Sequence, residues 1–219
     1  MRLKKIINSK KLLEFYKKGF FPMAESQTDE TINFYKPLKR FIIPITNFHV
    51  PRKLFSIFKK QKYNFKINNN FADVIYQCQK IKRKEKDTWI NEIILKSYIE
   101  LNQLNKCHSV ECYENNNLVG GLYGVHLGGC FFGESMFSKK TNTSKLCLLY
   151  LICVLIKNKF NLLDSQFYNQ HLSQFGAYEI TDIKYNEILN QSLKTKSEFL
   201  EIDNFQEALL ILQSTNHKS

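Results

Sequence analysis

Residues 120–138 read GGLYGVHLGGCFFGESMFS. Apolar and aromatic side chains (Leu122, Tyr123, Val125, Leu127, then Phe131, Phe132, Met136, Phe137) flank Gly128-Gly129, a two-residue hairpin turn signal. Two largely buried strands are expected to meet there. Side chains alternate across a strand, which puts Glu134 and Met136 on one face and Ser135 and Phe137 on the other. No apolar core requires the carboxylate of Glu134. Standing beside a thioether, it suggests a pocket with an apolar end and a polar end.

Outward from this hairpin, His108 to Glu114, an Asn-rich turn at 115–117 and Leu118 to Leu127 extend it into an antiparallel meander. Before the meander, Asn70 is placed to cap a helix carrying Phe71, Val74, Ile75, Cys78 and Ile81 at helical spacing, and a second helix is expected from Ile90 to Leu104. The charged loop KRKEKDTW at 82–89 lies between them. After the meander, Ser144 or Thr143 opens a helix containing the run Leu146 to Ile156, whose lack of a polar face predicts burial on nearly all sides. LLDSQF at 162–167 reads as a strand, His171 to Phe175 as a helical turn closing at Gly176, Tyr178 to Ile180 as a last strand, and Asp182 as the cap of a helix running to about Leu193. The tail has a helical stretch near Phe205 to Leu212. At the other end, Ser9 is expected to cap a short helix. TINFYKPLKRFIIPI at 31–45, broken by Pro37 and Pro44, reads as one or two short edge strands. A small N-terminal α/β domain, 1–47, is expected before a main domain, 48–219.

The 219 residues carry 32 Lys+Arg against 20 Asp+Glu, a formal charge of +12, with a pI near 9.3. That surplus favours a polyanionic partner such as RNA or an anionic membrane surface. In PRKLFSIFKKQKYNFK at 51–66, basic residues interleave with Phe55, Phe58, Tyr63 and Phe65, which suits phosphate contact and base stacking; an amphipathic helix with a solvated Lys face accounts for it equally well. Six cysteines without a C-x-x-C pair indicate core thiols in a reducing compartment. The N-terminus lacks a secretory pattern, and the longest apolar run falls short of the roughly 18 to 20 residues of a spanning helix. A soluble, cytoplasmic, monomeric protein without membrane partner is expected.

Asp164 and Gln166, two residues apart on the expected strand LLDSQF, would share a face. A buried carboxylate needs a partner or becomes protonated. Glu134 is a second acid on an apolar strand, and two such anomalies together point to a site. Cys107, His108 and Cys112 lie close enough for a thiol–imidazole pair but show no third, orienting group. His49, His126 and His171 lack metal-ligand spacing, and no phosphate-binding glycine motif occurs, so neither a metal nor a nucleoside triphosphate is expected.

Several segments in order, GFFPMAES (19–26), FHVPRKL (48–54), TWIN (88–91), HSVECYENNNLVGGLYGV (108–125), FFGESMFS (131–138), LLDSQF (162–167) and NQHLSQFGAYEI (169–180), resemble the leucyl/phenylalanyl-tRNA–protein transferases. The resemblance implies an α+β fold: a GNAT-like acyltransferase domain, with a mixed, largely antiparallel sheet flanked by helices, after the small N-terminal domain. Where most GNAT enzymes hold acetyl-CoA on a Gly-rich loop, this chain has the glycine-free SKKTNTSK, at 138–145. The implied activity is transfer of Leu or Phe, less well Met, from aminoacyl-tRNA to the N-terminal α-amine of proteins that begin with a basic residue, marking them for N-end-rule degradation, with no cofactor. Asp164 and Gln166 fall on the family's proposed relay, with a substrate-assisted route equally compatible, and Glu134 on its motif glutamate. Leu122, Phe131, Met136, Leu151, Leu155 and Leu163 align with the pocket for the aminoacyl side chain, and Trp89 and Phe34-Tyr35 with aromatic positions near the tRNA terminus. An aminoacyl-tRNA-dependent transferase building a cell-wall peptide, and a non-catalytic tRNA-binding module, are the alternatives.

Overall fold

A computed structural model describes residues 6–81 and 88–216; residues 82–87 of the expected charged loop lie outside the described residues. The elements in chain order are α1 (Ser9–Lys17), β1 (Phe21–Met23), β2 (Asn33–Tyr35), β3 (Lys39–Ile43), α2 (Arg52–Lys59), β4 (Asn64–Ile67), α3 (Phe71–Lys80), α4 (Glu92–Gln103), β5 (Cys107–Glu114), β6 (Asn117–Leu127), β7 (Cys130–Ser138), α5 (Thr143–Lys157), β8 (Leu162–Asp164), α6 (Gln170–Ser173), β9 (Tyr178–Thr181), α7 (Asp182–Ser192) and α8 (Phe205–Asn216). The fold is mixed α+β. One seven-stranded sheet has the order β4-β5-β6-β7-β8-β3-β9, and β1 pairs with β2 apart from it. β5 to β7 form the expected antiparallel meander, which β4 extends by pairing antiparallel with β5, and β8 then runs parallel to β7 after the crossover through α5.

β3 corrects the reading of 31–45 as edge strands. It lies between β8 and β9, antiparallel to both, inside the large sheet although it belongs to the segment 1–47. Pro37 and Pro44 stand outside Lys39–Ile43, so they bound the strand without removing a donor from its ladder.

Each face of the sheet buries its own core. On one side lie α1, α3, α4 and α7, with Tyr16, Val74, Ile94, Tyr98 and Leu189 against Tyr123, Val125 and Phe132. On the other lie α2, α5 and α8, with Phe58, Leu149, Ile152 and Leu212 against Val110, Leu122 and Phe131. α5 is buried along nearly its whole length, as its uniform apolarity requires. The aromatics of the basic segment belong to this core: Phe58 stacks on Phe65 at 5.3 Å, and Phe65 on Tyr150 at 5.0 Å. The amphipathic helix expected over 51–66 is seen only at Arg52–Lys59; Asn64–Ile67 is instead strand β4, paired with β5.

Two caps differ from expectation. Asn8, not Ser9, accepts from Lys11 N at the start of α1. Thr181, not Asp182, accepts from Lys184 N at the start of α7. α5 opens at Thr143 as expected, and its first turn is held from outside: Thr143 Oγ1 donates to Val119 and Lys140 carbonyls, while Ser138 Oγ accepts from Ser144 N. The hairpin turn needs its glycine, since Gly128 has φ +57° and a Cβ there would stand 2.6 Å from the Leu193 carbonyl oxygen.

Candidate active site

β7 and β8 pair only from Cys130–Phe132 to Leu162–Asp164. Beyond that point β8 stops while β7 continues to Ser138, so the sheet opens. The opening leads into a cavity of about 500 Å³ with Leu122, Met136, Leu148, Leu151, Leu163 and Phe175 on its apolar side, and Glu134, Ser135, Asp164, Ser165 and Gln166 on its polar side. Crevices at the carboxyl ends of parallel strands are common binding sites, because the chain diverges there and leaves backbone and side chains free to converge on a ligand.

Glu134 reaches this wall through a β-bulge. Gly124 pairs with Gly133 and Tyr123 with Ser135, which leaves Glu134 as the extra residue of β7. A bulge re-aims side chains, and here it reverses their parity. Glu134 turns to Tyr16 and Tyr98 on one side of the sheet, whereas Met136 packs into the opposite core. The expectation that the two share a face is thus corrected, although both border the cavity at the sheet's opening. Gly124 makes the bulge possible: a Cβ on it would lie 2.3 Å from the Phe132 carbonyl oxygen and 2.4 Å from the Phe131 ring.

The carboxylate of Glu134 accepts from the Tyr16 hydroxyl at 2.7 Å and from the Tyr98 hydroxyl at 3.1 Å, and those two hydroxyls also contact each other. Gln166 Nε2 stands 3.5 Å away. Burial pushes the Glu134 carboxyl up to about 7, against the lowering effect of the two tyrosine hydrogen bonds; the charge of Asp164 raises it further and that of Arg40 lowers it. Burial and the Glu134 charge together drive Tyr16 and Tyr98 well above the usual phenol value.

Asp164 is fully buried and held differently. Arg40 grips it with Nε at 2.8 Å from Oδ1 and Nη2 at 2.6 Å from Oδ2, and Tyr185 donates to Oδ2 at 2.8 Å. The Arg40 guanidinium also donates to the Gly19 carbonyl at 2.8 Å and stacks over Tyr185, 4.4 Å from the ring centre. The backbone N–H of Gln166 completes the set at 2.9 Å from Oδ1. The strand ends at Asp164, so the expectation of two side chains on one strand face does not hold. Gln166 instead has φ +62°, a left-handed conformation fixed by this Asx-type hydrogen bond. The turn still brings the Gln166 side chain into the cavity.

Leu122, Met136, Leu151, Leu163 and Trp89 of the expected set line the cavity with the three polar residues. Phe131 and Leu155 do not; both are buried in the core, the Phe131 ring stacked on Phe199 at 5.3 Å. Tyr35 lies off it as well, donating to Glu25 Oε1 at 3.3 Å. A smaller cavity of about 230 Å³ adjoins the first, sharing Trp89, Glu134 and Gln166, with Phe21, Met23 and Phe167 among its other walls. Sequence reasoning missed Arg40, Tyr16, Tyr98 and Tyr185. Arg40 carried a readable signal, a lone charge in the β-forming run KRFII, whereas the tyrosines look like ordinary core residues. Among the described residues no group of three His, Cys, Asp or Glu side chains could hold a metal ion.

Fold and site together describe an α+β protein with an apolar chamber bordered by a small set of polar groups, Asp164 and Gln166 among them buried, the kind of concavity that ligand sites use. The sequence profile described as leucyl/phenylalanyl-tRNA protein transferase matches residues 42–190. A leucyl/phenylalanyl-tRNA–protein transferase of Phenylobacterium zucineum is 42% identical over 192 residues, covering 88% of this chain and 87% of that one. The chain belongs to the leucyl/phenylalanyl-tRNA–protein transferase family. Among solved structures, a conserved protein of unknown function from Staphylococcus epidermidis aligns with TM-score 0.43 at 12% identity, over 80% of this chain and 65% of that one. L-PGS from Bacillus licheniformis aligns with TM-score 0.40 at 13% identity, over 92% of this chain and 62% of that one.

Proposed function

We propose that this protein is an aminoacyltransferase that moves Leu or Phe from aminoacyl-tRNA to the N-terminal α-amine of an acceptor protein. The observation that carries the reading is the cavity itself, an apolar chamber of about 500 Å³ with Glu134 and Gln166 on its polar side. In this reading the Leu or Phe side chain fills the apolar end. Burying such a side chain is worth about 1.5–3 kcal/mol, which a polar side chain would forfeit in desolvation. The ester carbonyl then lies near Glu134 and Gln166. The terminal adenosine occupies the smaller cavity, whose aromatic walls Phe21, Trp89 and Phe167 offer stacking surfaces. The acceptor carries an N-terminal basic residue, and its new N-terminal Leu or Phe is the mark for N-end-rule degradation.

The aminoacyl ester is already activated, so the site has to position an amine and manage its proton. An amide is no base, so Gln166 acts by orienting the amine. The Asp164 carboxylate holds the Gln166 backbone N–H at 2.9 Å, while the side-chain amide of Gln166 faces Glu134 at 3.5 Å, which favours an orienting role for the pair over a relay through the amide. The catalytic unit reads as GNAT-type: a meander from β4 to β7, the helix α5, then β8 parallel to β7, with the reaction site where those two strands part.

The test is incubation of purified protein with labelled leucyl-tRNA and a peptide beginning with Lys. Label in the peptide is expected. Tight tRNA binding with no transfer would replace this reading with that of an RNA-binding module.

A further inference from the structure

The contacts around Glu134 contain a proton inventory. Tyr16 touches Tyr98, Tyr16 touches Glu134, and Tyr98 touches Glu134, so three hydrogen-bonding contacts close a triangle. Each contact needs one hydrogen between its two oxygens. Two phenol groups bring two hydrogens, and an ionised carboxylate brings none. With Glu134 ionised, one pair of oxygens would face each other at hydrogen-bonding distance with nothing between them. With Glu134 protonated, all three contacts are satisfied.

Glu134 borders both cavities, whereas the two Asp164 oxygens are already committed to Arg40, Tyr185 and the Gln166 backbone. We propose that Tyr16 and Tyr98 hold Glu134 with a proton on it in the resting site, and that Glu134, not Asp164, exchanges a proton with the reacting atoms. This rests on the transfer reading above. Tyr16 and Tyr98 act through Glu134 and are positioning residues.

The step balances as follows. The acceptor nitrogen uses its lone pair to form the C–N bond, and the C–O bond to the ribose breaks with its electron pair leaving on oxygen. The nitrogen must lose one proton and the ribose oxygen must gain one. Glu134 delivers its proton to that oxygen and takes up the one from nitrogen, ending protonated as it began. The ionisable groups facing it are Tyr16 from α1, Tyr98 from α4, Cys107 from β5, Asp164 from β8 and Arg40 from β3. Burial is the main influence raising the carboxyl's proton affinity, in agreement with the hydrogen count.

The test is infrared difference spectroscopy of the free enzyme, wild type minus Glu134→Gln, through a pH titration, with Glu134→Asp as a second reference if the Gln variant does not fold. A protonated carboxylic acid carbonyl band is expected in the wild type on the acid side of neutrality, disappearing as pH rises. Its midpoint is expected to move in Tyr16→Phe and Tyr98→Phe, and either variant that folds suffices. On the same preparations Glu134→Gln is expected to lower kcat about 10²-fold or more, while the Phe variants shift the pH profile of kcat and leave KM nearly unchanged. Absence of the band in wild type, or a midpoint unmoved in the Phe variants, overturns the proposal. Transfer without the band leaves the transfer reading standing; the band without transfer removes that reading and with it the part of Glu134 in the reaction.

Discussion

The buried pair Arg40–Asp164 shows how much one side chain in this protein depends on another. Both are at most 1% exposed. Removing either leaves a charge in the core without its counterion, at a cost of about 3–5 kcal/mol. Asp164→Ala is therefore expected to lose that much stability in urea unfolding, and its loss of transfer would reflect fold as well as chemistry. Combining Asp164→Asn with Arg40→Met is expected to recover most of the stability, because no lone charge remains; a double variant no more stable than Asp164→Ala would show that the pair is not the cause. Gln166 separates backbone from side chain in another way. Its φ of +62° suits glycine, so Gln166→Gly is expected to keep the stability measured by urea unfolding within about 1 kcal/mol while transfer falls. Glu134 supplies a pH signature. Its proton affinity is raised in the folded state to about 7 from an ordinary 4.5, so between those values the folded protein binds more protons than the unfolded chain. Stability from this group is present at pH 4.5 and below and is lost as pH rises through 7. Unfolding measured at pH 5 and pH 8 is expected to show a larger fall for wild type than for Glu134→Gln; equal falls would contradict it.

At the scale of elements, the bulge in β7 decides what the site can be. Gly124→Ala would drive a methyl group into the Phe132 carbonyl and the Phe131 ring, and the bulge that aims Glu134 at Tyr16 and Tyr98 would shift. The hairpin, the meander, the buried helix α5 and the polar anomalies Glu134 and Asp164 were legible in the sequence, since each follows from apolar periodicity, Gly-Gly or a charge out of place. The bulge was not: one unpaired residue leaves no mark in a pattern that already contains Gly133. The turn at Gln166 was equally hidden, because LLDSQF satisfies a strand pattern until Asp164 spends its carboxylate on the next turn's N–H. Tyr16 and Tyr98 come from α1 and α4, and only the tertiary fold makes them neighbours of Glu134. The segment after α7 is tied to the sheet by His126, whose Nε2 lies 3.0 Å from the Gly128 carbonyl and 3.1 Å from that of Ser197, and by Phe199 stacked on His108 at 4.5 Å. Burial lowers His108 to about 3, so its contribution is complete above the unfolded value of 6.5 and is lost as pH falls toward 3. Hydrogen exchange, corrected for intrinsic rates, is expected to show residues 195–203 less protected at pH 5 than at pH 7.5; unchanged protection would disconnect the histidine from this segment.

Across the whole molecule, the +12 charge and the cavity answer different questions. The charge supplies attraction to phosphate without choosing an amino acid, and if about six phosphates are contacted, tRNA affinity is expected to fall about a thousandfold between about 50 and 200 mM salt. In the proposed reading the cavity chooses the aminoacyl group through packing. Met136, half-buried on its wall, can be enlarged without rebuilding the core. The most direct test of the account is mass spectrometry of a peptide beginning with Lys after incubation with the protein and aminoacyl-tRNA, without ATP. With leucyl- or phenylalanyl-tRNA the peptide is expected to gain one residue at its α-amine, with valyl-tRNA far less, and with Met136→Trp the gain is expected to vanish while tRNA binding persists. A peptide unchanged by leucyl-tRNA, or extended equally by every aminoacyl-tRNA, would contradict it.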